Sequence, residues 1–68
     1  MNFYTLINNY RVEKVKEMLA NKQYSYLTIL GIAYEAGFTS KSTFNNAFKK
    51  TTGHTPSEYV KKNKPKEV

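Results

Sequence analysis

Lys41, Ser42, Asn45, Asn46 and Lys49 are the residues of this chain whose types and spacing suit a definite chemistry. At about 100° per residue they share an arc of roughly 140° on one helix, and Phe44, Ala47, Phe48 and Thr51 share the other side, with Thr43 on the border. No carboxylate falls on the polar arc to repel a polyanion. Asparagine can pair bidentately with adenine, lysine can donate to guanine, and serine can meet either base. Lys49 and Lys50, in the last turn, add charge of the kind that grips phosphates. Catalytic chemistry has no comparable set. His54 is the only histidine, no cysteine can partner it, and the five acids are scattered. No acid/base pair, metal-ligand cluster or glycine-rich phosphate loop emerges, so the chain reads as a binding module, not an enzyme, with no cofactor and no small-molecule site. The polar arc reads as a DNA-recognition surface. A solvated helix face shows the same chemistry, so the elements around it have to decide.

Those elements are well marked. Ser40 is the N-cap candidate for a helix over 40–51, and Gly37 ahead of it can take the positive φ that turns one helix into the next. In the preceding stretch, 28–36, Ile29, Ile32, Ala33 and Ala36 recur at the i, i+3, i+4, i+7 spacing of one buried face. Thr28 is its N-cap, and Leu27 with Ile32 forms a hydrophobic staple. Helix, glycine turn, helix is the helix-turn-helix plan, whose second helix enters the major groove. Downstream, Gly53 is a C-cap candidate. Thr55-Pro56-Ser57-Glu58 combines Thr at the N-cap, Pro at N1 and Glu at N3, which predicts a capping box and a last helix over 55–62, anchored by Tyr59 and Val60. Upstream, 2–21 reads as a long helix with Asn2 as N-cap. Phe3, Leu6, Ile7 and Tyr10 cluster on one side of it, whereas Val12, Val15, Met18 and Leu19 centre roughly 140° further round, so one partner surface cannot bury both.

In one register, Ile29, Ile32-Ala33, Gly37-Phe38, Ser40, Ser42, Phe44, Phe48-Lys49-Lys50, Gly53, Thr55-Pro56 and Tyr59 resemble the C-terminal half of the DNA-binding domain of AraC/XylS-type transcription regulators. Phe3, Leu6-Ile7-Asn8, Arg11-Val12, Val15 and Met18-Leu19 are similar to that family's linker helix. The chain departs from the family pattern at Leu6, where Tyr is common, at Gly31, where a polar residue is common, and at Asn46, where Arg is common. The family's base preference is therefore not carried over to Asn46, and Gly31 costs about 1 kcal/mol of helix propensity against Ala. The resemblance implies an all-α fold of about four helices, a homeodomain-like helix-turn-helix subdomain over 1–63 with a long N-terminal linker helix, and a flexible basic tail over 64–68. It implies double-stranded DNA as partner and a bacterial cytoplasmic setting. Carried over position by position, Lys41, Ser42, Asn45 and Asn46 are the base-contact candidates, and Thr28, Ser40, Lys49 and Lys50 the phosphate-contact candidates. In the family the linker helix bridges two such subdomains. Only one is expressed in this sequence, so two expectations stand, a piece of a longer regulator and a naturally short protein, of which the first is preferred.

Composition agrees with a small DNA-binding domain. Sixty-eight residues bury only about 60% of the surface that the unfolded chain exposes. Eleven Lys and Arg against five acids give a net charge of +6, which favours a polyanionic partner. The absence of cysteine excludes a disulfide framework and cysteine-ligated zinc. No apolar run is long enough to cross a membrane, and no secretory signal is visible. Two other classes compete: a protein-interaction module that uses the apolar face of the first helix, and a basic amphipathic segment on anionic membrane. Neither accounts for the Gly37 turn or the capped helix after it. The Phe3, Leu6, Ile7, Tyr10 face has no partner within the chain, which predicts a homodimer through it, since a two-fold pair needs only self-complementarity.

Overall fold

The chain begins its first helix because Asn2, in extended conformation, accepts the Thr5 N–H through Oδ1 at 2.7 Å, satisfying one of the unpaired N–H groups of the first turn. In a computed structural model, which describes residues 2–63, the elements are α1 (Phe3–Leu19), a 3-10 turn (Lys22–Tyr24), α2 (Ile29–Glu35), α3 (Lys41–Thr52) and α4 (Pro56–Asn63). The fold is all-α. The tail expected over 64–68 lies outside the described residues. Among the described residues no helix is long and apolar enough to cross a membrane.

The two apolar stripes of α1 have different fates. Val12, Val15 and Met18 are buried with Asn8, the i, i+4, i+7, i+10 ladder of one helix face. Phe3, Leu6 and Tyr10, on the other stripe, remain 76%, 55% and 68% exposed, and Ile7 is half-buried. The helix ends at Leu19 because Asn21 turns its side chain forward, accepting the Gln23 N–H at 2.9 Å and opening the 3-10 turn.

One core serves all four helices. Val12, Val15 and Met18 of α1 meet Ile32 and Ala33 of α2, Phe38 of the turn, and Phe44 and Phe48 of α3. Four aromatic rings run through it in sequence. Phe38 lies 5.3 Å from Phe44, Phe44 lies 5.7 Å from Phe48, and Phe48 lies 5.2 Å from Tyr59 of α4, all tilted or edge-on, the arrangement favoured by the ring quadrupoles. Thr51, placed by simple angular counting on the apolar side of α3, is exposed. It lies at the edge of that arc, where its hydroxyl donates to Asn9 Oδ1 of α1 at 3.2 Å.

Candidate nucleic-acid interface

The angle between α2 and α3 is set by three local devices. Thr28 Oγ1 accepts the Gly31 N–H at 2.9 Å and starts α2. At its far end the Phe38 N–H reaches Ala33 O and the Gly37 N–H reaches Tyr34 O, both at 3.0 Å, with Gly37 at φ +113°. This is the paired bonding of a Schellman motif, and buried Phe38 and Ala33 supply its apolar contact. Ser40 then starts α3, accepting the Thr43 N–H at 3.2 Å and donating its own hydroxyl to Thr43 Oγ1 at 2.9 Å.

Sequence reasoning had no signal for the part played by Arg11. From α1 it lays its guanidinium 5.9 Å from the centre of the Phe38 ring, a cation–π contact. Its Nε would stand only 3.0 Å from a Cβ added at Gly37. Glycine is therefore favoured at this turn by its φ, and any side chain there would also make the Arg11 side chain give by a few tenths of an ångström.

The buried face of α3 consists of Phe44 and Phe48. Lys41, Ser42, Asn46, Lys49 and Lys50 are exposed, and Asn45 is half-buried. Among the described residues none of these six side chains makes a hydrogen bond or ion pair. Lys49 does lie near enough to α4 to act on Glu58. The Thr55 backbone N–H, above all, and then the Thr55 side chain hold the Glu58 carboxyl below its usual range, partial desolvation opposes them, and His54 and Lys49 add to the lowering. That carboxylate belongs to the capping box of α4: it accepts the Thr55 N–H at 2.9 Å, while Thr55 Oγ1 accepts the Glu58 N–H at 3.2 Å.

Of the hydroxyls placed by sequence at helix N-termini, Thr28 is exposed. It has its oxygen engaged and its O–H free to donate, whereas Ser40 is half-buried and already donates to Thr43. At Ser40 the groups left for an anion are the backbone N–H donors of the first turn of α3. At its other end α3 closes on Gly53, at φ +82°, whose N–H reaches Lys49 O at 2.8 Å. His54 is half-buried and its Nε2 stands 3.4 Å from Lys62 Nζ. A lysine can only donate, so the imidazole accepts there.

The arrangement is a capped, charged, carboxylate-free helix face held at a fixed angle to the helix before it. Compared with known proteins, residues 1–62 match a family described as a helix-turn-helix domain. Comparison with curated proteins and with solved structures found no match.

Proposed function

Because the chain belongs to the AraC/XylS-type family of helix-turn-helix DNA-binding domains, whose general role is DNA binding in transcription regulation, we propose that α3 reads base pairs of double-stranded DNA from the major groove. The observation that carries this reading is the outward face of α3, where Lys41, Ser42, Asn46, Lys49 and Lys50 are exposed without a hydrogen-bonding or ion-pairing partner among the described residues, while Phe44 and Phe48 fix the helix from behind. Lys41, Ser42, Asn45 and Asn46 are the base readers. The first-turn N–H groups behind Ser40, the Thr28 hydroxyl, Lys49 and Lys50 hold phosphates. A small interface of this kind neutralises few phosphates, so affinity is modest, and it falls with salt by a slope of about 0.9 for each phosphate neutralised. Selecting duplexes from a randomised pool and titrating the winner against salt tests the reading. An enriched motif and a salt slope of a few units are expected; a pool that stays random over repeated rounds refutes sequence-specific binding.

A second reading concerns α1. Three large apolar side chains, Phe3, Leu6 and Tyr10, face solvent on one stripe, with Ile7 half-buried beside them. Full burial of each is worth about 1.5–3 kcal/mol, and two copies pairing along this stripe achieve it with one self-complementary surface. Sedimentation equilibrium should show association rising with concentration for the wild type and not for Leu6→Lys. A wild type that stays monomeric throughout rejects it.

A further inference from the structure

Alongside the outward face of α3 runs a groove of about 270 Å³ between α3 and the first half of α1. Asn46, Lys50 and Thr51 contribute to one wall, and Thr5 and Asn9 to the other. No carboxylate lines it. The walls are tied together where Thr51 Oγ1 donates to Asn9 Oδ1. That bond consumes the acceptor of the Asn9 amide and leaves its nitrogen, with two N–H donors, unpaired among the described residues. Lys50, opposite, is exposed and has no carboxylate partner among them. At the base of the groove lies Asn8, only 8% exposed, whose buried Oδ1 receives no hydrogen bond from any described residue.

We propose that this groove seats a phosphodiester of the DNA strand that borders the major groove on the α1 side, gripped by the Asn9 amide nitrogen from one wall and the Lys50 ammonium from the other. The proposal rests on the reading of α3 as the recognition helix. An α-helix with its side chains is about 10–12 Å across and the major groove about 12 Å wide, so a helix in that groove has a phosphate strand along each flank. Asn46 and Lys50 belong both to the recognition face and to the wall of the α1–α3 groove. A duplex that meets Asn46 with its base edges therefore brings one strand along the groove's mouth. Asn9 and Lys50 thus act as one phosphate clamp, supported by Thr5 and fixed by Thr51.

The test uses the duplex that the wild-type chain selects from a randomised pool, together with a scrambled duplex of equal length. Asn9→Asp keeps the acceptor for Thr51 and replaces the phosphate donor with an anionic oxygen, and Gln23→Glu, on the 3-10 turn, makes the same charge change away from the groove. Asn9→Asp should weaken both duplexes alike, by about tenfold, and reduce the salt slope by about one, while Gln23→Glu changes binding less than twofold. A scan of single methylphosphonate substitutions along the selected duplex should find one backbone position whose neutralisation weakens the wild type but not Asn9→Asp. Where Asn9→Asp folds poorly, Lys50→Gln, at an exposed position on the other wall, gives the same comparison. Equal binding by Asn9→Asp and Gln23→Glu, or no such backbone position, overturns the clamp. If binding depends on Asn46 but ignores Asn9, the clamp alone fails; if the wild type binds no duplex, the reading of α3 fails with it.

Discussion

Gly37→Ala is the substitution for which the structure gives two separable penalties. The first is backbone strain, because φ +113° is a conformation that a side chain resists at a cost of about 1–3 kcal/mol. The second is contact, since the new Cβ would stand 3.0 Å from Arg11 Nε and make the guanidinium give by a few tenths of an ångström, which loosens a cation–π contact worth at most about 0.5–1 kcal/mol. Gly53 supplies the control: its φ is +82°, yet a Cβ there meets nothing within 4 Å, so Gly53→Ala suffers strain only. At about 0.05–0.15 kcal/mol per residue the whole chain holds roughly 3–10 kcal/mol of stability, and a loss of about 1–4 kcal/mol is a large part of it. Urea denaturation followed by circular dichroism measures both variants. Gly37→Ala should fall below Gly53→Ala, and Arg11→Ala should make Gly37→Ala milder, giving less-than-additive loss in the double mutant. Equal losses for the two alanines, together with strict additivity of Arg11→Ala and Gly37→Ala, would refute the role assigned to Arg11.

Two further outcomes follow from the site. Asn46→Ala should cost about 1–3 kcal/mol on the selected duplex and relax one base position in a repeated selection, whereas Lys49→Ala should weaken all sequences alike and flatten the salt slope by about one; an Asn46 effect equal on every sequence would remove it from the base readers. Glu58 titrates below the usual carboxylate range, so its cap contributes to folding above the unfolded-state value of about 4.3, and the contribution disappears as pH falls through the lower folded-state value. The side-chain carboxyl shift of Glu58 followed by NMR should have a midpoint below the value of about 4.3 for a free glutamate side chain, and Thr55→Val should raise it; an unmoved midpoint counts against the cap as the cause.

Much of the frame was legible because helix ends are local. Asn2, Thr28, Ser40 and the Thr55–Glu58 pair act within a few residues of themselves, and their hydrogen bonds fall at those ends. Gly37 was legible for the same reason, as a turn residue between two apolar patterns. What sequence could not reveal depends on other helices. Arg11 reaches Phe38 only because α1 packs across the turn, and Thr51 turns to Asn9 because α1 passes beside the outer edge of α3. Asn8 did leave a signal, since it continues the spacing of Val12 and Val15 one turn earlier, but a polar residue in an apolar register is ordinarily discounted. For the recognition face, residue types and arc were legible, while the half-burial of Asn45 and the prior engagement of Ser40 needed the packed structure.

The four-ring series from Phe38 to Tyr59 bears on how the chain assembles. Its members follow one another along the sequence, so each ring meets the next without a long loop having to close, and contacts of that kind form early and fast. The link from α1 to α3 through Asn9 and Thr51 joins residues far apart in the chain and closes a much larger loop. The transition state for folding is accordingly expected to contain the turn, α3 and the start of α4, with the first half of α1 docking afterwards. Substitutions at Phe44 and Phe48 should then slow folding, whereas substitutions at Asn9 should mainly speed unfolding. The helix proposed to read DNA is thus built on the part of the molecule that consolidates first and opens last, and the proposed phosphate clamp on its most readily detached edge.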